Sequence, residues 1–319
     1  MNVYLTFDIE IWCNGWDQLD ARFPAAFERY VYGRSPHGEF ALPQTLSILD
    51  EHGLKGVFFV EPLFAARFGV APLREVVGLI QARGHEVQLH LHPEWTDEAL
   101  QPLLPNVTHK RQHLTYYDLQ EQIALIGHGL RLLAEAGAAP VTAFRSGSFA
   151  ANRDTYRALA KQGLQVDSSL NRCHAVSGPD LRGSADLDQV SCIEGVQSLP
   201  VSVFRDGLGR LRPAQVGACG AAELRDALDN AHRQGQRDFV VVSHNFEMLQ
   251  AGRTQPDWVV VRRFRALCAH LQREAARMPV RTLACGIDLS ASAAHWQRAQ
   301  ARWGSTAWRV AEQLRRRWS

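Results

Sequence analysis

The sequence predicts an α/β fold, a distorted (β/α) barrel of about seven strands. Two patterns point there. Short apolar runs rich in Val, Phe and Leu alternate with longer helical patterns, as in parallel βαβ units. Residues of acid, base and ligand type then recur at the C-terminal ends of those runs, where a β/α barrel gathers its active site.

The strand candidates are VYLTF (3–7), GVFFV (56–60), EVQLHLH (86–92), VTAFR (141–145), LQVDSS (164–169), VQSLPVSV (196–203), DFVVVSH (238–244) and VRTLA (280–284). Helical periodicity predicts helices over 42–53, 72–84 and 119–137, stopped by Gly53, Gly84 and Gly137. Asn152 is an N-cap for 153–163. Two more helices are expected over 221–235 and from Asp257 to about Arg277. The stretch 171–195, rich in Gly, Ser and Asp, reads as a long loop shaping a cleft. The barrel is expected over 1–290, with a separate basic amphipathic helix over 291–319.

Composition excludes several classes. A net charge of +2 over 319 residues argues against broad binding to nucleic acid. The six cysteines contain no CxxC pair, which argues against a disulfide framework and a thiolate zinc site. The opening MNVYLTFDIE is a strand running into carboxylates, without a basic and apolar leader, so a cytoplasmic location is expected.

Asp8 and Glu10 follow the first strand, two apart and so on one side of it. Like carboxylates held close call for a cation between them. His90 and His92 share a face in the same way and are followed by Glu94. Imidazole and carboxylate together suit a divalent metal such as zinc. Arg145 ends VTAFR, Asp167 lies late in LQVDSS, and His244 ends DFVVVSH.

These segments resemble the motifs of the polysaccharide deacetylases, the carbohydrate esterases built on the NodB homology domain. TFDIE (6–10), GHEVQLHLHPEW (84–95), FRSGSF (144–149), VDSSL (166–170) and VVVSH (240–244) are similar to the family's five motifs, in order. GVFFV (56–60) resembles the strand after the first. The second motif usually carries two histidines four apart; here Glu94 stands four after His90, so His92 or Glu94 could supply the third ligand. The resemblance implies an enzyme that hydrolyses the acyl amide of an amino sugar. Glu10, His90 and His92 or Glu94 would hold a divalent metal, zinc above others. Asp8 would be the general base, oriented by Arg145, and His244 the general acid, oriented by Asp167. A backbone N–H near Gly147, Ser148 and Phe149 would meet the oxyanion. An amidohydrolase or deformylase of this fold is the alternative, and a non-catalytic carbohydrate-binding relative the alternative of another class.

Trp12, Trp16 and Trp95 adjoin these segments and could either stack on a sugar ring or cap the barrel core. At the end of the chain, Trp296, Trp303, Ala307, Val310, Leu314 and Trp318 form a stripe. Arg298, Arg302, Arg309, Arg315 and Arg316 lie largely off it. Such a helix suits either packing on the barrel with its arginines solvated or peripheral contact with the inner face of a membrane. A glycan precursor, cytosolic or lipid-linked, is the expected partner.

Overall fold

The structure is a computed structural model. It describes every residue except Thr108, Ala139, 175–180, 182–186, Arg253, 288–296 and Ser319, and the side chains of Cys285, Arg317 and Trp318. The expected boundary at 290/291, Trp296 and much of the 171–195 stretch therefore lie outside the described residues.

The strands are β1 (Asn2–Ile9), β2 (Arg34–Ser35), β3 (Gly38–Glu39), β4 (Val57–Val60), β5 (Glu86–Leu91), β6 (Ala143–Ser146), β7 (Val166–Asp167), β8 (Ser191–Ile193), β9 (Val196–Ser198), β10 (Val203–Arg205), β11 (Leu211–Pro213) and β12 (Asp238–His244). The main α-helices are α1 (Leu19–Phe27), α2 (Leu42–Glu51), α3 (Ala65–Phe68), α4 (Val70–Gln81), α5 (Leu119–Glu135), α6 (Arg153–Lys161), α7 (Ala221–Arg233), α8 (Trp258–Arg273) and α9 (Trp303–Trp318). The Asn152 side chain caps α6 by accepting from Thr155 N–H at 2.9 Å.

Eight strands form one curled sheet in the order β12-β1-β4-β5-β6-β7-β9-β8, parallel except for the β8–β9 hairpin. The count exceeds seven because part of the expected loop pairs as β8. The run 196–203 is interrupted at Pro200 and yields β9 and the start of a separate β10–β11 hairpin. Between β12 and the far edge the sheet stays open, and the segment 201–216 spans the gap. Ser202 N–H reaches Val240 O, and Val242 N–H reaches Ala214 O. The expected strand 280–284 makes only a single bridge, Val3 to Val280, below the point where β4 begins to pair with β1.

Strand alternation sorts the core into two layers. Val3, Leu5, Phe7 and Ile9 face the helices in the larger cluster. Tyr4, Val57, Phe59, Ala143, Val166 and Val240 fill the inner face of the curl. Each inner-face row runs apolar at the bottom and polar at the top. Tyr4 gives way to Asp8 and Glu10, Ala143 to Arg145, and Val240 to His244. The register brings Asp8 opposite His244 and His90 opposite Arg145.

Candidate active site

The top of the inner face is built from five strand ends. Glu10 Oε1 is the hub: His90 Nε2 lies 3.1 Å from it, His92 Nε2 3.0 Å and His244 Nε2 4.0 Å. Its other oxygen accepts from the Trp12 indole at 2.7 Å. Asn245 clamps the Glu10 backbone, accepting from its N–H and donating to its carbonyl. Asp8 is buried and receives Arg145 Nη1 at 2.6 Å, with His244 Nε2 3.9 Å from its other oxygen. Arg145 is itself fully buried, donating also to Thr6 Oγ1 and to both oxygens of Ser168, and its guanidinium lies over the Phe59 ring.

Among the described residues, Glu10, His90 and His92 form a group able to hold a metal ion. The chemistry of the set fits one. His90 Nδ1 lies 2.8 Å from Arg145 O, which can only accept, so Nδ1 carries the proton. His92 Nδ1 likewise faces the Glu94 carboxylate at 3.2 Å. In each neutral ring the Nε2 lone pair is then turned toward a carboxylate oxygen about 3 Å away. Acceptors converging this way repel unless a proton or a cation joins them, and imidazoles oriented from behind by acceptors are a hallmark of metal ligands. Of the two alternatives, His92 lies in the group with Glu10 and His90, and Glu94 stands behind it on Nδ1.

Charge in the site follows from these contacts. Burial pushes the Glu10 carboxyl up, but the His92 charge, the His90 and His92 hydrogen bonds and His244 outweigh it and hold the group well below its usual range. Burial works against a charged His92, yet the charge and hydrogen bonds of Glu10 and Glu94 raise it well above an ordinary histidine. His244 is also opposed by burial, and is lifted to about 9 by its hydrogen bond to Glu247 and by Glu10 and Asp8. Glu61, on the strand end beside these, is pushed to about 8 by burial despite the N–H bonds of Leu63 and Phe64.

Two sequence expectations are corrected. Asp167 does not orient His244. Val166 belongs to the inner cluster, so alternation turns Asp167 outward to α6, where it binds Tyr156 OH at 2.7 Å and Ser169. The partner of His244 Nδ1 is Glu247, at 2.9 Å. Trp95 is 1% exposed and is core, not a sugar platform. Trp12 and Trp16 are half-buried and line a cavity of about 300 Å³ with Cys13, Glu94, Lys110 and Gln112. One face of Trp16 is covered by Lys110 Nζ, 3.6 Å from the ring centre.

The loop of Gly147, Ser148 and Phe149 lies beside the centre. A Cβ on Gly147 would stand 2.6 Å from the His92 ring, so only glycine allows that approach. Ser148 and Phe149 both hold left-handed backbone, φ 55° and 56°. Glu247, Asn245 and Glu61 were not singled out in the sequence. Glu247 and Asn245 lie within three residues of His244, and Glu61 directly follows a predicted strand, which is where a search for their roles could have begun.

No protein-family model matches the chain, and no curated protein matches it. Solved structures do. A protein named "putative polysaccharide deacetylase from Mycobacterium smegmatis" is 22% identical with a TM-score of 0.52, covering 88% of this chain and 93% of that one. A family 4 carbohydrate esterase from Streptomyces lividans is 14% identical with a TM-score of 0.43, covering 94% and 97%. The first likeness establishes the fold, the NodB-like distorted barrel.

Proposed function

We propose that this chain is a metal-dependent hydrolase that removes an acyl group, acetyl above others, from an N-acylated amino sugar. The observation that carries the reading is the convergence of Glu10, His90 and His92 on one point, with His244 about 4 Å from both Glu10 and the Arg145-bound Asp8. Motif resemblance and shared fold add support.

Glu10, His90 and His92 would hold the cation, and a mixed carboxylate and imidazole set suits zinc. A divalent cation bound there polarises an acyl carbonyl and acidifies water. Asp8, locked by Arg145 and facing the same space, takes the proton of the attacking water. His244, held at Nδ1 by Glu247, returns a proton to the departing amine nitrogen. The 147–149 loop supplies backbone N–H groups for the developing oxyanion. Trp12 and Trp16 beside the cavity offer aromatic edges for the sugar. The substrate is a glycan or glycan precursor of the cell surface; the exposed face of α9 favours a lipid-linked one over a free cytosolic one.

The test is release of acetate, formate and free amine from a panel of N-acyl amino sugars, free, nucleotide-linked and oligomeric. Acetate and amine are expected in equal amounts. A chelator should lower turnover at least ~10²-fold and zinc restore it. Zinc should raise the melting temperature of the stripped protein but not of Glu10→Gln. Formate in place of acetate would favour the deformylase reading. Sugar binding without turnover by zinc-loaded protein would favour the non-catalytic one.

A further inference from the structure

Helix α9 is packed inside out. Its buried arc is polar: Ser305, Thr306, Arg309 and Glu312 face the barrel. Arg309 pairs with Glu223 at 2.8 Å and Asp206 at 3.3 Å, and Glu312 with Arg263 at 2.7 Å. Thr306 and Ser305 donate to Glu223 and Asp226 at 2.7 and 2.6 Å. The opposite arc carries Trp303, Trp308, Val310 and Leu314, exposed by 67, 61, 40 and 53%. Helices packed on a globular body ordinarily turn their apolar arc inward. Here the ion pairs hold the helix so that its apolar arc faces out.

The β10–β11 turn extends this surface. Gly207 backbone lies so close to Trp303 that a Cβ there would be 2.4 Å from the Trp303 Cα. The next residue, Leu208, is 57% exposed. The exposed charges bordering the patch are Arg210, Arg302 and Arg315, while the nearby carboxylates Asp206, Glu223 and Asp226 are buried under the helix.

We propose that this face seats the protein on a lipid surface rich in anionic headgroups, its tryptophans and leucines entering the headgroup boundary and the arginines meeting phosphate. Exposed tryptophan bordered by exposed arginines is complementary to such a surface, and Glu312, which accepts from the Trp308 indole, is tied to Arg263. A second copy of the chain is disfavoured by the same charges, because a symmetric contact would set those arginines against themselves. The C-terminal end of α9 lies on the side of the barrel where His244 stands. Arg316, near the end of α9, pairs with Asp257, whose N–H bonds Met248 O at 2.7 Å, and Met248 follows His244 by four residues. The seat stands apart from the proposed reaction, because its test needs no substrate.

The full-length protein would be sedimented with vesicles of phosphatidylglycerol and phosphatidylcholine, and with phosphatidylcholine alone, at low salt. It should follow the anionic vesicles, and the combined Trp303→Ser, Trp308→Ser and Leu314→Ser variant should bind at least ~10-fold more weakly. Arg210→Glu with Arg315→Glu should weaken it too. Failure of the wild type to bind anionic vesicles would overturn the proposal, as would equal binding by the serine variant. Self-association that the serine substitutions abolish, without vesicle binding, would assign the face to a second copy and also overturn it.

Discussion

Glu247 Oε1 sits 2.9 Å from His244 Nδ1, one turn along the segment that follows β12. The same carboxylate accepts from Gln215, Gly217 N–H and Ser243, so its position is tightly determined. Glu247 is therefore placed to orient His244, the proton donor of the proposed reaction, with Nε2 aimed at Asp8 and Glu10. Glu247→Gln should lower kcat by ~10- to 100-fold with KM little changed. Asp167→Asn should leave kcat within about threefold, since its bonds run to Tyr156 and Ser169 on the far side of the sheet. Steady-state kinetics on both variants decides the matter. If Asp167→Asn were the slow one, the assignment of partners would be reversed.

Arg145 and Asp8 form a pair with neither group in water. Asp8→Asn should cost at least ~10² in turnover, as loss of a general base does. It should also destabilise the fold by up to ~3–5 kcal/mol, because a buried guanidinium loses its counter-charge; Thr6 and Ser168, which still accept from it, reduce that figure. The double variant Asp8→Asn with Arg145→Met should regain much of the stability and none of the activity. Urea denaturation separates the two effects. An Asp8→Asn protein as stable as the wild type would mean that the pair contributes nothing to folding.

The candidate site was legible in the sequence because strand alternation is local. Asp8 with Glu10, and His90 with His92, share a face by spacing alone; the structure brings Glu10, His90 and His92 to one point and sets Asp8 against Arg145 and His244. Asp167 was misread by the same rule: in LQVDSS, Val166 takes the inner face, so its neighbour cannot. Glu247 escaped notice because it lies past the strand, in a turn where no period predicts direction. The extra strand β8 pairs across a two-residue turn at Glu194 and Gly195 within a polar stretch that carries no apolar alternation. Helix α9 was amphipathic by sequence, but only the carboxylates of α7 and the β10–β11 turn reveal that its polar arc is the buried one.

His85 gives a pH dependence of stability remote from chemistry. It precedes β5 and is 5% exposed, its ring 5.4 Å from Phe58. Its Nδ1 accepts from Gly56 N–H at 3.2 Å, so a proton on that nitrogen would face another N–H. Burial lowers the group to about 4, helped by Lys55 and Arg83 and only partly opposed by Asp50. An unfolded histidine titrates near 6.5. Between about pH 6.5 and pH 4 the unfolded chain thus binds a proton that the folded chain refuses, so stability must fall as pH falls. At about 1.4 kcal/mol per pH unit the loss approaches ~3 kcal/mol across the window. In His85→Asn an amide oxygen can still accept from Gly56, and this slope should vanish. Its stability relative to the wild type should therefore improve by roughly 3 kcal/mol on going from pH 7 to pH 4, measured as the difference between the two proteins in urea so that other titrating groups cancel. A difference that stays constant with pH would show that His85 takes up its proton in the folded protein as readily as in the unfolded chain.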